Sequence, residues 1–156
     1  MARKGPEKLG RYKLLTLLAT GGMAEIYLAR QTGIGGFERL VVVKRILPHL
    51  AGQERFVEMF FDEARIAAQL NHPNIVQIFD LGQDEDEYFI SMEYLEGESL
   101  GYLVREARRT GNFLPVDVSA GIVAQVCDGL DYAHKLTDES GKPLNIVHRD
   151  VSPHNI

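Results

Sequence analysis

An aspartate and an asparagine five positions apart, Asp150 and Asn155, stand in the last nine residues of the chain, His148-Arg149-Asp150-Val151-Ser152-Pro153-His154-Asn155-Ile156. Within one short loop that spacing suits phosphoryl transfer. The carboxylate can accept or orient a hydroxyl proton, and the carboxamide can offer an oxygen to a magnesium ion. The same residue types also suit a polar turn after a short strand at Asn145-Ile146-Val147, so the remaining chain must decide between the two. Two further charges stand against apolar surroundings. Lys44 ends the run Leu40-Val41-Val42-Val43, and Glu63 falls among Phe56, Phe60, Ala67 and Leu70 on one face of a helix expected over about 53–70. A carboxylate on an apolar stripe and an ammonium ending an apolar strand each need a counter-charge, and pairing satisfies both. The alternatives are a lysine that only ends its strand at the surface and a glutamate solvated at the edge of the stripe.

The elements that would position these residues are legible in order. Residues 1–10, with Gly5, Pro6 and Gly10 among charges, read as a flexible leader. Tyr12–Leu18 and Glu25–Arg30 are predicted strands joined by Ala19-Thr20-Gly21-Gly22-Met23-Ala24, which makes a hairpin. A dinucleotide-binding glycine turn should open a helix, and Glu25–Arg30 is too β-like and too short for one; no G-x-x-x-x-G-K-[ST] occurs either. After the strand ending at Lys44 and the helix, Asn71-His72-Pro73-Asn74 is a stop signal. His72 beside a proline reads as a capping or packing residue, because no second His or Cys stands at ligand spacing. Ile75–Phe79 and Tyr88–Met92 are predicted strands flanking the acidic run Asp84–Glu87, itself read as a solvated loop. Ser99–Arg109 and about 116–136 are predicted helices, the second with an apolar face of Val118, Ile122, Val126, Leu130 and Ala133. Strands followed by helices make an α+β chain.

These segments, in this order, resemble a protein kinase of the bacterial Ser/Thr class. The last nine residues resemble the catalytic loop H-R-D-x-x-x-x-N; the glycine hairpin resembles the phosphate-covering loop; Val41–Lys44 resembles the V-A-I-K strand. Glu93-Tyr94-Leu95-Glu96-Gly97 resembles the hinge, and Pro153 before Asn155 is similar to the Ser/Thr rather than the Tyr class. The resemblance implies ATP and magnesium as cofactors and a protein substrate with a Ser or Thr hydroxyl. It implies Asp150 as catalytic base, Asn155 as magnesium ligand, and Lys44–Glu63 as the ion pair that holds the α- and β-phosphates. It further implies a nucleotide site of Leu18, Ala19, Thr20, Gly21, Gly22, Met23, Ala24, Ile26, Val42, Lys44, Met92, Glu93 and Leu95. There Ile26 and Val42 would roof the adenine, Met92 would close the pocket behind it, and backbone near Glu93 and Leu95 would pair with its edge.

The chain departs from the family pattern at several positions. Ala19 and Ala24 replace two loop glycines, and Ser152 stands where a lysine is usual and supplies no positive charge. The D-F-G aspartate, the activation loop and A-P-E would all follow Ile156. The resemblance therefore implies a small lobe over 11–95, an antiparallel sheet with one αC-type helix, followed over 96–156 by the first part of a helical large lobe ending at the catalytic loop. The expectation is an incomplete kinase domain that does not transfer phosphate by itself. The alternative is a non-catalytic pseudokinase or interaction module.

Composition narrows the classes further. A formal net charge of −5 argues against nucleic acid held by general electrostatics. The single cysteine, Cys127, excludes an internal disulfide and fits a reducing compartment; its helical setting suggests a small buried side chain. No apolar run reaches membrane-spanning length, and the apolar stretch after the basic start is too short for a signal peptide. A cytoplasmic protein is expected.

Overall fold

The computed structural model describes residues 8–156. The chain forms two compact units: one takes the described residues up to Asn71 together with Val76–Leu95, the other takes His72–Ile75 and Glu96–Ile156.

The first unit is a six-stranded antiparallel sheet with helices on one face. The strands are β1 (Lys8–Leu9), β2 (Tyr12–Thr20), β3 (Ala24–Thr32), β4 (Glu38–Ile46), β5 (Ile78–Asp84) and β6 (Glu87–Glu93), in the order β1-β2-β3-β4-β6-β5. β4 lies inside the sheet, between β3 and β6, and buries Val41, Val43 and Ile46. Its odd-numbered side joins Leu9, Tyr12, Ala29, Val41, Val43 and Phe89 in one buried cluster. Its even-numbered side contributes Ile46 to a second cluster with Ala24, Leu50, Phe60, Ala64 and Ile90. That second face is covered by α1 (Pro48–Ala51) and α2 (Glu54–Ala68). α1 was not expected from the sequence; it is a single turn begun by Pro48, whose fixed φ suits a first helical position.

The first cluster is closed at its edge by β1. Leu9 is fully buried, so Lys8–Leu9 are a strand and not part of a leader; residues 1–7 lie outside the described residues. Tyr12 sets its ring edge-on to Phe89 at 5.6 Å and shares a hydrogen bond of 2.8 Å with the buried Ser91 hydroxyl. Gly82 lies opposite Phe89 in the ladder, and a Cβ there would fall 2.3 Å from the ring's Cζ.

Arg45 crosses this face as a buried cation. It donates to Glu25 Oε2 at 2.5 Å, to Glu87 Oε1 at 2.8 Å and to the Tyr27 hydroxyl at 3.1 Å, tying β3, β4 and β6 together. Burial pulls the guanidinium pKa down, but the hydrogen bond to Glu25 and the charges of Glu87 and Glu25 outweigh it and hold Arg45 above its ordinary value. Burial and the hydrogen bond to Glu25 push the Tyr27 hydroxyl up as well.

The structure corrects the reading of the acidic run. Glu85 and Asp86 alone make the β5–β6 turn, with Glu85 at φ 50°, while Asp84 and Glu87 belong to the ladder. Asp84 accepts from the Gly10 N–H at 2.6 Å, and Glu87 serves Arg45. β5 begins at Ile78 rather than Ile75, because Ile75 N–H closes a turn onto the His72 carbonyl at 3.0 Å.

The second unit contains α3 (Leu100–Arg109) and α4 (Val116–Lys135). The turn at His72–Ile75 lies against α4: the His72 ring stacks on Tyr132 at 5.1 Å, and Asn74 donates its side-chain N–H to the Gln125 carbonyl at 2.8 Å. His72 is thus a packing residue. Gly129 allows this approach, since a Cβ there would meet the Asn74 carbonyl at 3.3 Å. Ala133 is buried, whereas Val118 on the same predicted face is 45% exposed, as are Val116 at 84% and Val123 at 57%. Cys127 is exposed, not buried, because it lies off the side of α4 that carries Gly129 and Ala133. No strand forms at Ile146–Val147, which run as irregular backbone.

Replacing Gly82 by alanine should overpack the Tyr12–Phe89 cluster and lower stability by about 1–3 kcal/mol. A urea midpoint unchanged from the parent chain would show that the ring can move aside.

Candidate functional site

Lys44 lies on the even-numbered face of β4, with Ile26 of β3 and Ile90 of β6 as its ladder partners. Its Nζ donates to Glu63 Oε1 of α2 at 2.5 Å and stands 5.9 Å from the centre of the Phe60 ring. The pair expected from the sequence therefore forms, but its setting differs. The Lys44 side chain is 24% exposed and that of Glu63 57%. The line of α2 turned to the sheet runs through Val57, Phe60 and Ala64, which leaves Glu63 at its margin. A pair this open is worth at most about 1 kcal/mol to the fold, not the several of a dry one.

The turn between β2 and β3 is closed by the Gly21 N–H donating to the Ala24 carbonyl at 2.8 Å. Neither Gly21 nor Gly22 has a positive φ, and a Cβ at Gly22 would meet nothing within 4 Å. The fold does not need a glycine at 22, so the bare backbone there is available for close approach by a ligand. Ala24 departs from glycine for a structural reason: its methyl is buried in the second cluster with Ile46 and Phe60. Ala19, opposite Ile26, is exposed, as are Leu18 and Thr20, while Met23 packs at the edge of the second cluster. Ladder pairings of Ile26 with Lys44 and of Val42 with Met92 put these four residues on one face. Glu93 ends β6, its N–H held by the Gln77 carbonyl at 2.9 Å, and Leu95 beyond it is exposed.

In the second unit the Asp150–Asn155 loop is organised by its own polar groups. The Asn155 Nδ2 donates to the Asp150 carboxylate and to the Asp150 carbonyl, each at 2.9 Å, and the Asn155 N–H donates to the Ser152 carbonyl at 2.9 Å. With its nitrogen engaged, the asparagine keeps Oδ1 for a cation. The Asp150 N–H donates to His148 Nδ1 at 3.3 Å, and Arg149 before it sits at φ 67°. A left-handed backbone under a bulky side chain is costly and recurs where a loop's shape serves function. Among the described residues no three His, Cys, Asp or Glu gather as a metal cage. The donors present are hard oxygens from one Asp and one Asn, which fit magnesium, an ion that keeps waters and substrate phosphates as its other ligands.

Sequence reasoning missed what holds this loop. The first-turn N–H groups of α3 donate into it, Leu100 to the Ile156 carbonyl at 2.7 Å and Gly101 to the Pro153 carbonyl at 2.6 Å. The visible signal was Ser99, whose hydroxyl caps the helix by accepting from the Tyr102 N–H, followed two positions later by a glycine.

A family model described as "Protein kinase domain" matches residues 12–156. The chain is 53% identical over 147 residues to the tyrosine-protein kinase MasK of Myxococcus xanthus, a match covering 94% of this chain and 23% of that protein. It is 37% identical over 147 residues to the serine/threonine-protein kinase PrkC of Bacillus subtilis, covering 94% of this chain and 20% of that protein. The crystal structure of the Mycobacterium tuberculosis PknI kinase domain superposes with a TM-score of 0.70 at 30% identity, over 95% of this chain and 54% of that one. The chain thus spans about a fifth of these curated relatives and about half of a solved kinase domain. With a family match over nearly all its length and a sheet, ion pair and Asp–Asn loop of the expected kind, this chain belongs to the protein kinase family.

Proposed function

We propose that the chain is the nucleotide-binding and catalytic-loop part of an ATP-dependent protein kinase that phosphorylates serine or threonine. The observation that carries this reading is the Asp150–Asn155 pair, a carboxylate and a carboxamide locked together at 2.9 Å on a loop whose backbone is strained next to the acid. Bound magnesium–ATP would supply the phosphoryl group and most of the charge neutralisation. Lys44, oriented by Glu63, would hold phosphate oxygens, and at the tip of the Gly21–Gly22 turn the Gly22 backbone would donate its N–H to them. Ile26, Val42 and Met92 would enclose the base, with backbone near Glu93 and Leu95 on its edge. Asp150 would receive or orient the substrate hydroxyl's proton, and Asn155 Oδ1 would bind the metal. A cytoplasmic location goes with this reading, because ATP is supplied there and a single exposed thiol needs no oxidising compartment.

Serine or threonine as acceptor is favoured by Pro153 two residues before Asn155, and by PrkC and other relatives whose names say Ser/Thr. The relative named a tyrosine kinase, at 53% identity, favours a tyrosine hydroxyl as the second reading. A non-catalytic role draws on Ser152, which brings a hydroxyl where a cation would assist the transferring group.

Three outcomes are expected. In the longest open reading frame containing this chain, Lys44→Met should reduce phosphate transfer to a mixed Ser/Thr/Tyr peptide substrate about 10²–10³-fold. Its unfolding midpoint should hardly move, because the ion pair is open to water. Undiminished transfer would remove Lys44 from the mechanism. Asp150→Asn should lower turnover about 10²–10⁴-fold at unchanged ATP affinity, and acid hydrolysis of the labelled product should release phosphoserine or phosphothreonine; phosphotyrosine would select the second reading. The 156-residue chain alone should transfer no label from ATP above its own Asp150→Asn control; transfer lost in that control would show that the two units suffice.

A further inference from the structure

Gly101 occupies the second position of α3, directly after Ser99 and Leu100. Alanine is the better helix former by up to about 1 kcal/mol, and the backbone at Gly101 is not in the left-handed region that only glycine tolerates well. Neither helix propensity nor dihedral freedom explains a glycine here. The surroundings do. A Cβ built on Gly101 would lie 2.8 Å from His154 Nδ1, 3.1 Å from His154 Cε1 and 3.2 Å from the Pro153 carbonyl oxygen. Those two residues stand between Asp150 and Asn155. The missing methyl is the clearance that lets this loop settle on the end of the helix.

The contact is polar as well as close. The first N–H groups of any α-helix lack acceptors within the helix. In α3 one of them, that of Tyr102, is taken by the Ser99 hydroxyl at 3.2 Å. Two others are taken by the loop, Gly101 at 2.6 Å to Pro153 and Leu100 at 2.7 Å to Ile156. The positive end of the helix dipole faces those carbonyls and strengthens both bonds. The Asp150–Asn155 hydrogen bonds fix the loop internally but do not fix where it lies. The α3 bonds attach its second half to a rigid element.

We propose that Gly101 is a positioning residue for the catalytic loop: the absence of its side chain lets α3 bind the Pro153 and Ile156 carbonyls and so sets where Asp150 and Asn155 stand. This deepens the kinase reading and rests on it for its catalytic consequence. Gly101 touches no reacting group. Its effect is on geometry, and a displacement of the order of 1 Å at a reacting centre costs up to about 10²-fold in rate.

The test has two arms with separate readouts. In the 156-residue chain, amide hydrogen exchange followed by NMR should show Leu100 and Gly101 protected. In Gly101→Ala both positions should exchange faster while Tyr102, held by Ser99, keeps its protection. Adding His154→Ala removes the two nearest of these contacts; the third, the 3.2 Å approach to Pro153, is one that a small shift of the loop relieves, so the double variant should regain protection. In the longest open reading frame containing the chain, Gly101→Ala should lower kcat by about 10–100-fold with KM for ATP little changed. Gly101→Ala/His154→Ala should recover most of that loss, and His154→Ala alone should stay near the parent. Fast exchange at Leu100 and Gly101 in the parent chain would overturn the proposal. So would a Gly101→Ala protein with parental kcat, or a loss that His154→Ala does not relieve. If the parent protein transfers no phosphate at all, the kinase reading fails, while the exchange arm still decides whether α3 holds the loop.

Discussion

β4 carries two cations side by side, and the pleat sends them to opposite faces of the sheet. Lys44 meets a carboxylate from α2 on one side, and Arg45 meets carboxylates from β3 and β6 on the other. The two pairs follow different physics. Arg45 is nearly sealed, so its desolvation must be matched by the Glu25 and Glu87 charges and the Tyr27 hydroxyl. Lys44 reaches an open carboxylate and contributes little to folding. One strand thus combines a buried clamp with a more open ion pair, and alternation in the strand keeps them apart. The clamp also fixes β3 immediately after the glycine turn, since Glu25 follows Ala24 and lies opposite Arg45.

The second unit reaches comparable order by other means. Its loop has no ladder to hold it, so its backbone carbonyls are spent on a helix end and its side chains on one another. This arrangement suits a segment that must present an acid and an amide to solvent at a fixed separation. Irregular backbone can do this only when its polar groups find partners outside regular structure.

The elements and the charged pair were legible in the sequence because each had a local cause: alternation for strands, the 3.6-residue period for α2, a lysine closing an apolar run. The short acidic segment misled because two of its four carboxylates serve partners distant in sequence, Gly10 and Arg45. Glu63 was placed on the correct side of α2 but too deep, since a stripe read from four residues has an uncertain centre, and the helix is turned by Phe60 and Ala64. Cys127 looked buried from its helical setting, yet which side of a long helix is covered depends on the neighbours it meets. Gly101 was invisible for the same reason. Its meaning lies in the approach of residues fifty positions away.

β1 has a practical side. Two residues, Lys8 and Leu9, complete the edge of the sheet and cap the cluster around Tyr12 and Phe89. By sequence they look like the tail of a charged, glycine-bearing leader that an expression boundary would discard. A start site placed at Gly10 or Arg11 would keep every recognisable motif and still leave a leucine-sized hole in the core, with the open flank of β2 beside it.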